Sequence, residues 1–159
     1  METKKYQVYI MSGAPGSGKS TWCRNHGVSK YRVSRDEIRF SVLKDGEDYF
    51  SHEKETFRMF IDEIKKKVTE YGTVFIDASH LEFYSRRKLF RALDDVIGGK
   101  YESYILCFIT PLRTCLERNA LRQGRERVPD SVVNEFYYKA TIPKKTDHPS
   151  IKGIWEIDE

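Results

Sequence analysis

The stretch YQVYIMSGAPGSGKST, residues 6–21, sets the reading of the whole chain. Its first half, at 6–11, is an alternating and mostly apolar run, which predicts a β-strand. The run leads straight into Gly13-Ala14-Pro15-Gly16-Ser17-Gly18-Lys19-Ser20, which fits G-x-x-x-x-G-K-[ST] at every fixed position. A helix is expected over 19–26. Strand, glycine loop and helix in that order form a phosphate cradle. The glycines let the backbone bend with its N–H groups inward, and the helix N-terminus adds partial positive charge. Gly13, Gly16, Ser17 and Gly18 shape the loop. Lys19 is expected at the β- and γ-phosphates of ATP, Ser20 at Mg²⁺, and Thr21 at the phosphate end.

Outward from the loop, strand-like and helix-like segments alternate. Short strand-like runs at 31–34, 73–79, 104–110 and 151–157 predict four more strands, the first and last of the chain being the more amphipathic. Phe57, Phe60, Ile61, Ile64 and Val68 make one apolar stripe at helical period, so 51–71 reads as a helix. Lys65, Lys66 and Lys67 lie between those positions and read as a solvated face. Helices are also expected at 36–43 and at 84–97, the latter stopped by Gly98-Gly99. Thr110 is expected to cap the next helix, with Pro111 in its first turn, running to about Gln123. Asp130 is expected to cap the last. The alternation predicts an α/β fold with a parallel sheet and right-handed crossovers, the runs at 74–76 and 104–109 being inner strands.

The chain has 159 residues, a length suited to one domain spanning 1–159. Charged residues make up 33% and the net charge is +4, a mild excess that fits a phosphate-rich partner without identifying one. Cys23, Cys107 and Cys115 are odd in number and lack C-x-x-C spacing, which points to reduced thiols. The charged start METKK does not read as a signal peptide, and no apolar run approaches the ~20 residues of a membrane helix. A cytoplasmic protein is expected.

Acids at strand ends come next, because ligands of open parallel sheets bind beyond the carboxyl ends of strands. The run at 74–76 ends on Asp77, placed to hold Mg²⁺ directly or through water. Alanine follows it, where many hydrolysing ATPases carry a water-activating glutamate, and no N-K-x-D motif is present. Transfer is therefore favoured over hydrolysis. The second acid is Asp36 in SRDEIR. It suits two roles: accepting the proton of an attacking hydroxyl, or capping the helix that starts there. Arg39 shares its helical face at i+3, and Arg35 precedes it. An acid beside guanidiniums suits an acceptor that bears both a hydroxyl and a phosphate, and a surface ion pair is the other reading.

Residues 116–130, LERNALRQGRERVPD, hold Arg118, Arg122, Arg125 and Arg127. Arg118 and Arg122 are expected on one helical face of a mobile lid at about 117–130. There they would neutralise charge on the transferred phosphoryl group.

The segments GAPGSGKSTW, SRDEIR, FIDASHLEFYSRRKL and CLERNALRQGRERVPDSVVNEFY, in this order, resemble the kinase domain of bacteriophage-type polynucleotide 5′-kinases over about residues 7–140. The resemblance implies a P-loop kinase sandwich with five parallel strands in the order 2-3-1-4-5. It implies transfer from ATP to the 5′-hydroxyl end of DNA or RNA, in a bacterial or phage-infected cell. Asp36 matches the family's general base, and Arg39 the arginine at the acceptor's phosphate. Arg122 matches the lid arginine at the donor phosphates, with Arg118 one turn earlier, and Asp77 matches the acid ending the third strand. No D-x-D-G-T motif occurs, so the 3′-phosphatase activity of the phage enzyme is not expected. Two extra residues separate Asp77 from the RR pair, and no role passes to Arg86 or Arg87. The same architecture serves kinases of small hydroxylated metabolites, nucleosides and antibiotics, which is the alternative.

Overall fold

Residues 4–158 are described in a computed structural model. Five strands, β1 (Tyr6–Ser12), β2 (Arg32–Ser34), β3 (Thr73–Asp77), β4 (Tyr101–Phe108) and β5 (Ile151–Ile157), form one sheet in the order β2-β3-β1-β4-β5. Every pairing is parallel. The register sets Val8 beside Val74 and Ile10 beside Ile76, and brings Ser34 level with Asp77. The carboxyl ends of β1, β2 and β3 therefore open onto one rim.

Helices cover both faces. On one, α3 (Glu53–Tyr71) and α4 (Phe83–Ile97) pack over Val8, Ile10, Val74, Ile76 and Ile105. The predicted stripe explains this: Phe60, Ile64 and Val68 are all fully buried, each stabilising by about 1.5–3 kcal/mol. Lys65 and Lys66 face solvent, as expected, while Lys67 reaches back to the carbonyl of Arg32 at 2.7 Å. On the other face α1 (Lys19–Asn25) sets Cys23 and Trp22 against Met11, Phe75, Leu106 and Phe108. A third cluster, Ala14, Cys115, Val128, Val132 and Val133, joins the phosphate loop to α5 (Leu112–Ala120) and α6 (Asp130–Tyr138).

Several boundaries differ from expectation. β4 begins at Tyr101, because Tyr101 and Ser103 are inward-facing despite their polar neighbours. Thr110 does not cap α5; its hydroxyl donates to the carbonyl of Ser17 at 2.8 Å, and Pro111 takes the cap position. Pro129 likewise precedes α6, leaving Asp130 in its first turn. A proline at the cap has the extended backbone that a helix entry needs, so the chain enters both helices without a side-chain cap. The α5 helix ends at Ala120 rather than near Gln123. Among the described residues, no helix is long and apolar enough to cross a membrane.

Candidate active site

The glycine loop closes as its sequence demands. Gly18 (φ 98°) and Gly16 (φ 84°) lie in the left-handed region that favours glycine. A Cβ at Gly16 would also stand 2.5 Å from the carbonyl oxygen of Cys115. The Lys19 ammonium bonds the carbonyls of Gly13 (2.8 Å) and Ala14 (3.0 Å), curling over the loop. Loss of hydration lowers its pKa, with the carboxylates of Asp77 and Asp36 acting in the opposite sense. Lys19 thus lies in the field of both strand-end acids.

A cavity of about 780 Å³ opens at the rim. Gly16, Gly18, Lys19, Ser20 and Thr21 line it on one side, and Arg35, Asp36 and Arg39 on another. Asp77, Arg118 and Arg122 complete the sequence-derived set on its wall. Gly13 and Ser17 stand behind the loop, Ser17 being 1% exposed. Arg125 and Arg127 do not line the cavity. Arg125 instead bonds the Phe40 carbonyl (2.8 Å) and Asp45 (3.0 Å), joining the segment after α5 to the end of α2 (Arg35–Val42). Arg118, on α5, donates to the carbonyl of Gly16 at 3.3 Å. Arg122 lies past the end of α5, so the two reach the cavity from a helix and from the turn after it, not from one helical face.

Asp36 does not cap its helix; Ser34 does, accepting the Glu37 amide at 3.2 Å. The carboxylate of Asp36 accepts instead from the Tyr49 hydroxyl (2.6 Å) and from Arg39. Arg39 is 4% exposed and gives two further bonds to Glu53, from Nε (3.0 Å) and Nη2 (2.9 Å), while its guanidinium lies 4.1 Å from the Tyr49 ring centroid. Four of its five N–H donors are therefore engaged. Arg35 gives Nη2 to Glu53 at 3.0 Å, and its buried Nε has no partner among the described residues. Burial lowers the Arg35 pKa. It acts the same way on Arg39, where Tyr49, Asp36 and Glu53 outweigh it and leave the pKa raised. Glu53 and Tyr49 carried no sequence signal, since neither belongs to a motif and both meet Asp36 or its arginines only through folding.

At the other acid, Asp77 (6% exposed) accepts from Arg32 Nε at 2.8 Å. Arg32 also reaches Glu37. This pair, 45 residues apart in sequence, was not foreseen. A hydroxyl from Ser20 and a carboxylate from Asp77 on one wall are an all-oxygen set of the kind Mg²⁺ takes, alongside phosphate oxygens and water. Among the described residues no group of three or more His, Cys, Asp or Glu is poised around one point.

His80 is the further wall residue that sequence reasoning passed over. It is 4% exposed and, among the described residues, alone outside glycine in having positive φ (45°). Its Nδ1 bonds the Met11 carbonyl at 3.1 Å, and burial pushes the imidazole down to about 3. Its carbonyl accepts from Ser12 Oγ (3.0 Å) and from Arg86 (3.0 Å). Arg86, 2% exposed, also donates to Leu81 and to Thr141, so it braces the rim from below.

A phosphate loop between β1 and α1, sharing one cavity with strand-end acids and with Arg118 and Arg122, defines a P-loop kinase fold. The chain belongs to the AAA domain family AAA_33, which matches residues 8–143. The transcription factor bHLH140 of Arabidopsis thaliana is 26% identical over 146 residues, covering 88% of this chain. The chain spans 15% of that relative's length. A chain of the Pnkp1/Rnl/Hen1 RNA repair complex superposes with a TM-score of 0.64 at 20% identity, over 87% of this chain and 46% of that one. A sugar kinase from Janibacter sp. HTCC2649 superposes with a TM-score of 0.61 at 18% identity, over 97% and 85%. At these identities the two structures share a fold with this chain.

Proposed function

We propose that the protein is an Mg²⁺-dependent kinase that transfers the γ-phosphoryl group of ATP to the 5′-hydroxyl end of a DNA or RNA strand. The observation that carries this reading is Asp36, a carboxylate that takes a bond from Arg39 and lines one cavity with Arg35 and Lys19. The glycine loop and Lys19 hold the donor phosphates. Ser20 and Asp77 would hold Mg²⁺, which would supply positive charge against the donor phosphates. Asp36 accepts the hydroxyl proton, the freed oxygen bonds to the γ-phosphorus, and the bond to ADP breaks. Tyr49 and Arg39 fix the carboxylate. Arg118 and Arg122 offset the charge that develops on the phosphoryl group. Arg35, with an uncommitted Nε, joins Arg39 at the acceptor's own phosphate. Residues 1–159 are proposed to form one kinase domain with residues of about 117–130 as its lid.

One observation favours a second reading. Glu53 already balances both Arg35 and Arg39, which suits an uncharged acceptor such as a small hydroxylated metabolite, nucleoside or antibiotic. Transfer of labelled phosphate from ATP to a panel of 5′-hydroxyl oligonucleotides, 3′-mononucleotides, nucleosides and sugars separates the two. Labelling of the first two groups is expected. Labelling of nucleosides or sugars alone would replace the polynucleotide reading with the second.

A further inference from the structure

The acceptor wall continues onto a charged surface. The ring of Phe57, on the second turn of α3, lies between two cations. The guanidinium of Arg35 is 5.4 Å from its centroid, and the ammonium of Lys88 on α4 is 4.1 Å from it. Arg35 lines the cavity, whereas Lys88 is exposed. Phe57 therefore leads from the interior of the site to the surface of α4. There Arg87 and Arg91 are also exposed, with Arg91 one turn along from Lys88 on the same side. Arg58 is exposed on α3, next in sequence to Phe57. Among the described residues none of these four cations takes part in an ion pair, although eight of the chain's other basic side chains do. Tyr84, one turn before Lys88, is 74% exposed. Glu53 and Glu55 lie in the first turn of α3 and Glu82 takes the cap position of α4, while Asp62, Asp94 and Asp95 come later; Glu53 is already bonded to Arg35 and Arg39, so the four exposed cations outnumber the acids at the end nearest the cavity.

We propose that this strip is a track for the single-stranded nucleic acid that follows the acceptor end, with Arg58, Arg87, Lys88 and Arg91 on its phosphates and Tyr84 under a base. The proposal rests on the polynucleotide reading of the site and extends it from the terminal nucleotide to the strand. Unpaired cations interleaved with an exposed aromatic are the chemistry that binds a strand without reading its sequence. From Phe83 to Arg91 the helix rises about 12 Å, the length of roughly three to four stacked nucleotides.

The test uses the full chain and the variant Arg87→Gln/Lys88→Gln/Arg91→Gln, none of whose positions belongs to the catalytic machinery. Binding of a fluorescent single strand of about 12 nucleotides bearing a 5′-hydroxyl is followed by anisotropy across a salt series. Each phosphate contact contributes about 0.7 to the slope of log K against log salt, so the triple variant should lose roughly 2 from that slope. Its affinity should drop by at least an order of magnitude at low salt, while KM for ATP and transfer to a 3′-mononucleotide stay at the wild-type level. An unchanged slope and affinity in the variant would overturn the track, as would absence of strand binding by the wild type. Failure of the polynucleotide reading shows separately, as absence of transfer to the mononucleotide and to every oligonucleotide.

Discussion

Glu53→Gln probes the least anticipated part of the site. The substitution keeps the shape and one acceptor oxygen but removes the charge shared by Arg35 and Arg39. Three bonds at 2.9–3.0 Å end on that carboxylate. A bond to a charged acceptor stabilises by about 1.5–3 kcal/mol, against about 0.5–1.5 for a neutral one, so each loses about 1 kcal/mol. The sum of about 3 kcal/mol is reduced because the Glu53 side chain is 33% exposed and partly screened, and because Asp36 still pairs Arg39. A loss of about 2 kcal/mol follows, equivalent to roughly 4–8 °C in Tm for a chain of this length. Urea unfolding should show a lower midpoint with an unchanged m-value. Glu117→Gln, which removes the exposed partner of Arg113, should leave the midpoint in place. A double-mutant cycle between Glu53→Gln and Arg39→Gln should return a coupling of about 1–2 kcal/mol. If Glu53→Gln unfolds within about 0.5 kcal/mol of wild type, Glu53 does not hold the arginines and the account of the acceptor wall is wrong.

Other perturbations test separate links. His80 is neutral in the fold, with a pKa of about 3, so below the ordinary value of ~6.5 protons bind the unfolded chain first. Stability is then complete above about pH 6.5 and declines toward pH 3, by about 2 kcal/mol at pH 5; His80→Asn, which tolerates the positive φ, should flatten that decline in a pH series of unfolding midpoints. Gly16→Ala forces a Cβ against the Cys115 carbonyl at a φ of 84°, so ATP affinity measured by calorimetry should collapse, whereas Gly99→Ala, with open space around it and no positive φ, should leave that affinity intact. Arg122→Ala should lower kcat on the order of 10³-fold, and Arg125→Ala, which bonds Phe40 and Asp45 away from the cavity wall, less than tenfold. Equal losses in those two variants would contradict the division of the lid arginines.

Much of this architecture is written locally. The parallel α/β sheet is reached from one loop and the alternation of strand-like and helix-like segments, because the inner strands are apolar on both faces and the crossover helix at 53–71 carries its own stripe, whereas the strand order came from the family resemblance. Asp36 and Arg39 are legible because three residues of helix bring them together. What sequence did not disclose is made by tertiary contact. Glu53 arrives from a different helix, and Tyr49 from the loop between α2 and α3. Arg32 meets Asp77 across two neighbouring strands. Arg86 reads as one more surface arginine on a basic helix, yet it is buried because three oxygen acceptors converge on it. His80 gives no sign in sequence of its left-handed backbone. Thr110 had the right residue type for a cap, but the loop carbonyl of Ser17 claims its hydroxyl.

The central claim is that Asp36 takes the proton of a 5′-hydroxyl. Its most direct test is transfer of labelled phosphate from ATP to a 5′-hydroxyl oligonucleotide by wild type and by Asp36→Asn, which keeps an oxygen for Tyr49 and Arg39, with ATP binding measured alongside. A fall in rate of about 10²–10⁴-fold with ATP affinity unchanged is the predicted result. Transfer by the variant at the wild-type rate would contradict it.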